Sequence, residues 1–277
     1  MVFKKIAREL MRPVRRWRGA RGSSSRASHA SPRPPTAASK PAPKYSADFS
    51  PRDIEIIETV APYTMTSPER IVALIQAVEH VVQSGIPGDI VECGVWKGGS
   101  MMAAIFSLMR LGDLGRTVRL YDTFDGMPPP AEIDRDFAGR SAEEQMRTED
   151  RGSSFIWCLA ALESVKRNVL STGYPAHRIH FIQGRVEETI PRQVPERIAV
   201  LRLDTDWYES TRHELIHLYP RLEPGGVLII DDYGHWQGAR RATDEFLAGL
   251  AIRPLLCRID FTGRLAVKPD ARVRMAA

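Results

Sequence analysis

The sequence predicts a doubly wound α/β fold: a mostly parallel, seven-stranded, Rossmann-like sheet with an antiparallel hairpin at its C-terminal end. Three observations lead there. Short, nearly continuous apolar runs such as Asp89–Cys93 have the composition of strands buried on both faces. Helical stretches with one apolar face lie between them, and strands alternating with helices imply a parallel sheet covered on both sides. The last two apolar runs are separated by Asp260, Thr262 and Gly263, with no helix between the arms. At 277 residues, 43% apolar and 26% charged, the chain has the composition of a core-forming protein rather than a fibre or a wholly disordered chain.

Taken in order, Ser67-Pro68-Glu69 supplies a cap, a proline at the first helical position and an early acid. Ile71, Leu74, Ile75, Val78 and Val82 then give an apolar face, so a helix is expected to about Val82, ended by Gly85 and Pro87. Asp89–Cys93 is the first strand. The pattern continues as helix Ser100–Leu111, strand Thr117–Asp122, helix Phe155–Leu170, strands Arg178–Ile182 and Ile198–Asp204, helix Thr211–Leu222, strand Gly226–Asp231 and helix Ala239–Leu250. Arg253–Arg258 and Arg264–Lys268 form the hairpin. The polar stretch Asp125–Ser154, with three consecutive prolines, is too long for an ordinary connection and reads as a lid. No repeat is visible at the period of solenoids or propellers.

Charge is distributed unevenly. Residues 1–44 hold twelve Lys/Arg and one acid, a net of +11 against +5 for the whole chain, which leaves the remainder at −6. The basic pI therefore belongs to the tail and is no argument for nucleic-acid binding by the folded body. Phe3, Ile6, Leu10, Val14 and Trp17 recur at helical spacing among its basic residues, a pattern suited to weak contact with an anionic membrane surface. Its second half is rich in Ser, Ala, Pro and Arg, so residues 1–44 are expected to be disordered and 45–277 to form the domain. Charge-free stretches such as Gly152–Leu162 are too short to span a bilayer. Three scattered cysteines, Cys93, Cys158 and Cys257, offer neither a disulfide framework nor a zinc motif, and no secretory h-region follows the basic start. A reducing, cytoplasmic location is the expectation.

In open parallel sheets ligands bind beyond the C-terminal strand ends. There the chain carries Glu92-Cys-Gly94-Val-Trp-Lys-Gly98-Gly99-Ser100, a glycine loop entering a helix that is neither a P-loop nor a dinucleotide fingerprint. Asp122 follows the second strand, where a carboxylate can receive ribose hydroxyls, and Gly184 with Val186 follows the third, where an adenine would lie. Asp204 and Asp206 follow the fourth strand and Asp231 and Asp232 the fifth. Three or four carboxylates converging at one sheet end repel one another unless a cation is held, and all-oxygen ligands suit Mg²⁺, Ca²⁺ or Mn²⁺. Asp206 has the alternative of capping the next helix. His213 and His217 have metal-pair spacing but belong on a solvent flank, whereas His235 lies in a site loop and is a candidate for substrate contact or proton transfer. Trp207, Tyr208 and Trp236 flank the acidic loops.

The motifs Tyr63-Thr-Met-Thr-Ser67, Gly88-Asp-Ile-Val-Glu-Cys-Gly-Val-Trp-Lys-Gly-Gly-Ser100, Tyr121-Asp-Thr-Phe-Asp-Gly-Met-Pro128, Leu203-Asp-Thr-Asp-Trp-Tyr-Glu-Ser210, Tyr219-Pro-Arg-Leu-Glu-Pro-Gly-Gly226 and Asp231-Asp-Tyr-Gly234 occur in this order. Together they resemble the macrocin O-methyltransferase family over roughly Tyr63–Leu250. The resemblance implies a class I methyltransferase fold and Mg²⁺-dependent transfer of a methyl group from S-adenosylmethionine to a sugar hydroxyl of a glycosylated small molecule or glycan, with homo-oligomers frequent. Carried over, Thr64, Met65, Glu92, Cys93, Gly94, Val95, Trp96 and Asp122 would bind the donor, and Asp204, Asp231 and Asp232 the metal. A lid histidine proposed as base in some members has no counterpart in Asp125–Ser154, which leaves Asp204 or His235 to take the proton. The alternatives are a catechol-type methyltransferase with a similar carboxylate site, or a non-catalytic nucleotide-binding scaffold.

Overall fold

The computed structural model describes residues 44–190 and 192–270, so the expectations for the basic tail lie, apart from Lys44, outside the described residues. The first helix among the described residues, α1 (Pro51–Val60), is one the periodicity does not predict. A capping box starts it: Asp53 N donates to the Ser50 hydroxyl at 3.2 Å, and Ser50 N donates to the Asp53 carboxylate at 3.1 Å. Helix α2 (Pro68–Gln83) begins as its sequence predicts, with Arg70 N donating to the Ser67 hydroxyl. There follow β1 (Asp89–Cys93), α3 (Gly99–Arg110), β2 (Val118–Asp122), α4 (Ala142–Thr148), α5 (Leu162–Leu170), β3 (Ile179–Gln183), the one-turn α6 (Val186–Thr189), β4 (Ile198–Leu203), α7 (Tyr208–Leu218), β5 (Leu222–Ile230), α8 (Gln237–Ala248), β6 (Cys257–Arg258) and β7 (Arg264–Val267).

The strands form one sheet in the order β3-β2-β1-β4-β5-β7-β6, parallel except for β7, which runs antiparallel to β5 and β6. This is the expected seven-stranded class I methyltransferase architecture with its antiparallel edge. Alternation along the strands divides the core into two layers. Ile90, Leu120, Val200 and Ile229 pack with α1, α2, α3 and α5 on one face. Val91, Tyr121, Leu201 and Leu228 pack with α6 and α7 on the other. No helix among the described residues is long and apolar enough to cross a membrane.

Other elements also differ from expectation. The helix expected over Phe155–Leu170 is a short 3₁₀ turn followed by α5. Cys158 has φ 45°, and the Trp157 carbonyl accepts from Met127 N at 3.0 Å, so the chain bonds to the lid instead of coiling. Helix α7 starts at Tyr208 and gives way to β5 at Leu222, because Pro224-Gly225-Gly226 forms an irregularity within the strand rather than its boundary. The hairpin arms are shorter than the apolar runs, as only Cys257–Arg258 and Arg264–Val267 pair.

The lid stretch has its own structure. It contains α4, a bridge between Arg135 and Ser141, and an antiparallel bridge from Asp136 to Trp236. Ala142 and Met146 of the lid share a small apolar cluster with Trp207, Trp236 and Ala239.

Candidate active site

Register determines the centre of the site. Glu92 on β1 lies directly beside Arg202 on β4, with both side chains on the α2 face of the sheet. The Arg202 guanidinium is fully buried and donates to Glu92 at 2.6 Å, to Asp204 at 2.7 Å, to the Thr66 hydroxyl at 2.9 Å and to Asp231. From α2, Arg70 also donates to Asp231 and pairs with Asp260 at 3.0 Å. A buried cation ringed by acceptors holds the tips of β1, β4 and β5 together. A lone arginine inside an apolar strand run was the signal in the sequence that could have identified it, and its role had been missed.

Beyond this ring, Asp204, Asp206 and Asp232 converge, each offering a carboxylate oxygen within 4.8 Å of the others. A single ion with bonds of about 2.1 to 2.5 Å bridges such a span. Burial, with mutual repulsion, raises the Asp204 and Asp232 carboxyls well above the ordinary range. Burial likewise pushes Asp206 up to about 7. Asp204 nonetheless keeps 26% of its side-chain surface exposed, so the cluster opens to solvent. Asp231, which the resemblance places in the ligand set, instead faces Arg70 and Arg202. Asp206, with φ 67°, is the third member of the carboxylate cluster. It does not cap α7: the Tyr208 N–H donates to the lid's Asp134 at 2.8 Å.

On the β1 side, Gly94 has φ 82°, and a Cβ there would collide with the Asp204 carbonyl, so this loop passes tightly over the tip of β4. A Cβ on Gly99, at the start of α3, would lie 2.6 Å from the Tyr63 carbonyl and 2.8 Å from the Thr64 Cβ. The Tyr63–Ser67 segment therefore runs from the glycine loop to Arg202. Asp122 accepts from Val95 N at 2.6 Å, Trp96 N at 3.1 Å and Phe124 N at 2.7 Å. Its carboxylate shapes the glycine loop rather than standing free. Burial pushes the Glu92 carboxyl up to about 8 against the pull of Arg202, and its Oε2 is buried without a hydrogen-bond partner among the described residues.

Other expected donor contacts lie elsewhere. The Cys93 side chain and Val186 are buried in the second core layer, and Val95 in the first. Cys93 meets the site through its carbonyl, which accepts from Asp204 N at 2.8 Å. Gly184 N donates to the Asp122 carbonyl at 3.0 Å, which sets the end of β3 beside that of β2. Thr64, Met65 and Trp96 are half-buried at the glycine loop. His235 packs edge-on against Phe137 and Trp236, and burial lowers its pKa. His213 and His217 stack on each other with centroids 4.3 Å apart on α7, the helix beyond the carboxylate cluster. Glu214, fully buried and accepting from Thr205 at 2.9 Å, is a further supporting carboxyl the sequence did not single out.

The model of the TylF macrocin O-methyltransferase family matches residues 23–266. A relative from Micromonospora griseorubida, mycinamicin III 3''-O-methyltransferase, is 37% identical over 74% of this chain and 78% of its own length. The 8-demethyl-8-(2,3-dimethoxy-alpha-L-rhamnosyl)-tetracenomycin-C 4'-O-methyltransferase of Streptomyces olivaceus is 36% identical over 73% and 74%. The solved structure of the O-methyltransferase NovP superposes with a TM-score of 0.65 at 32% identity, covering 75% of this chain and 83% of that one.

Proposed function

The chain belongs to the TylF macrocin O-methyltransferase family and is an O-methyltransferase, and we propose that it moves a methyl group from S-adenosylmethionine to a hydroxyl of a sugar on a natural product or glycan, with Mg²⁺ at the carboxylate cluster. The observation that carries this reading is the meeting of Asp204, Asp206 and Asp232 at the strand ends, next to a glycine loop that admits no Cβ at Gly94. The relatives' sugar-methylating activities support the acceptor class.

The residues present fit both groups. A cluster of raised carboxyls is a site in deficit of positive charge, which a divalent cation supplies. The positive-φ glycine loop and the start of α3 supply backbone N–H groups, with the buried Glu92 carboxyl behind them, and suit the amino-acid end of the donor. When bound, the cation would stabilise negative charge developing on the attacking hydroxyl. Asp204 and Asp232 would hold it. Asp206 lies where it would complete the ligand set, and an Asp206 carboxylate left off the ion would be the candidate to accept the hydroxyl's proton. Asp231 would join that set only by leaving Arg70 and Arg202. The Asp206→Asn variant separates the two roles: retained ion binding with lost transfer assigns the base, and loss of both assigns a ligand.

The test is incubation with labelled S-adenosylmethionine and a panel of glycosides and simple catechols, with and without EDTA, followed by mass spectrometry. Sugar methylation that stops in EDTA and returns with Mg²⁺ is expected. Transfer to catechols alone, or transfer indifferent to chelation, refutes the proposal.

A further inference from the structure

Glu214 is a buried acid that none of the chemistry above uses. It lies on α7, the helix that the Asp204–Asp206 loop enters, next to Leu215 and one turn before Leu218 of the core layer between that helix and the sheet. One oxygen accepts from the Thr205 hydroxyl at 2.9 Å, and the other, Oε2, is buried without a hydrogen-bond partner among the described residues. A half-satisfied carboxyl in an apolar layer costs free energy that a leucine of similar volume would not. Packing therefore does not account for an acid at this position.

Thr205 lies between Asp204 and Asp206, two of the three clustered carboxylates. Its carbonyl accepts from Trp207 N at 2.7 Å and from the Ser210 hydroxyl at 3.3 Å, which ties the loop to the start of α7. Its hydroxyl, bonded to Glu214, ties the same turn to the body of that helix. Asp206 beside it has φ 67°, a conformation that residues with a side chain rarely adopt and that persists only where its surroundings hold it. Towards β1, the Cys93 thiol lies beside the Glu214 carboxyl, and the Cys93 carbonyl accepts from Asp204 N at 2.8 Å. Glu214 thus stands where the strand leading into the glycine loop and the strand leading into the carboxylates end together.

We propose that Glu214 is a positioning residue: by accepting from the Thr205 hydroxyl it fixes the turn that presents Asp204 and Asp206 to the cation, and so sets the place of the cation relative to the glycine loop. The inference rests on the metal reading proposed above and adds the residue that determines the geometry of that site. Glu214 touches neither the ion nor the acceptor; it acts through Thr205, as outer partners of a metal site orient the groups that ligate. Burial raises its carboxyl well above the ordinary range and so favours the uncharged acid. A glutamine, which keeps the volume and the carbonyl acceptor, can therefore take its place, whereas a leucine cannot.

The test titrates Mn²⁺ alone into the full chain, as wild type, Glu214→Gln, Glu214→Leu and Thr205→Val, and follows the free ion by its electron paramagnetic resonance spectrum. Removing the acceptor in Glu214→Leu, or the donor in Thr205→Val, should weaken Mn²⁺ binding by about tenfold, while Glu214→Gln stays within about threefold of the wild type. The thermal midpoint of Glu214→Leu should hold or rise, since the half-satisfied carboxyl leaves the core together with the acceptor. Unchanged Mn²⁺ binding in Glu214→Leu and Thr205→Val overturns the role, and so does a loss in Glu214→Gln as large as that in Glu214→Leu. A lowered midpoint in Glu214→Leu beside wild-type Mn²⁺ binding in Thr205→Val marks a residue of the fold alone and also overturns it. A wild type that binds no Mn²⁺ refutes the metal reading and the positioning role with it, whereas variants that bind as the wild type does refute the positioning role alone.

Discussion

Replacing Arg202 by methionine removes the one cation shared by β1, β4 and β5. The guanidinium is buried, as are two of its carboxyl partners, Glu92 and Asp231, while Asp204 is partly open. The counter-charge comes from the carboxyls that accept from the guanidinium, Glu92, Asp204 and Asp231. Asp231 retains Arg70 in the variant, whereas Asp204 loses its only ion-pair partner among the described residues. Breaking a buried pair by removing one partner typically costs about 3–5 kcal/mol. For a domain of this size that corresponds to a fall of about 10 °C in Tm. The loss should be smaller at pH 6.5 than at pH 8.5, since protonation of Glu92, pushed up to about 8, neutralises part of what the arginine left behind. Arg202→Lys should lose less, as a point charge can serve some but not all four acceptors. Urea unfolding followed by circular dichroism at both pH values measures this. A loss under about 1 kcal/mol, or one of equal size at the two pH values, would show that the network is not the electrostatic centre of the fold.

Magnesium affinity should rise between about pH 6 and 8, because the ion binds ionised carboxylates and Asp206 releases its proton near 7; titration calorimetry showing a flat profile would contradict this. By the same linkage, carboxyls raised in the native state bind more protons there than in the unfolded chain. The stability of the metal-free protein should therefore fall as pH climbs from about 4 to 8, and added Mg²⁺ should reverse the fall at the upper end. Asp134→Ala removes the acceptor for Tyr208 N and Ala131 N and should cost about 1–2 kcal/mol, with the acceptor KM rising as the lid loosens; unchanged protease sensitivity of the lid would oppose that role. Gly94→Ala should abolish donor binding, because the added methyl meets the Asp204 carbonyl at a backbone φ of 82°, and calorimetry with S-adenosylhomocysteine reads the result directly.

The sequence was most legible where a single strand or turn carries the information. Strand β1 matches its apolar run residue for residue, α2 begins at its proline behind the Ser67 cap, and Gly263 with its neighbours marks the hairpin. The carboxylates at the strand ends were likewise visible as Asp204, Asp206, Asp231 and Asp232. Periodicity and turn chemistry are local properties, and one stretch of chain suffices to read them.

Which of the four acids meet one another was decided only in three dimensions. Asp231 and Asp232 are adjacent in sequence, yet one is drawn to Arg70 and Arg202 and the other to Asp204 and Asp206. The short α5, the cap that Asp134 places on α7, and the burial of Glu214 beside Cys93 share that origin. Each depends on partners tens of residues or more away in the chain, and the free energy of a buried charge is set by what surrounds it, which linear order does not specify.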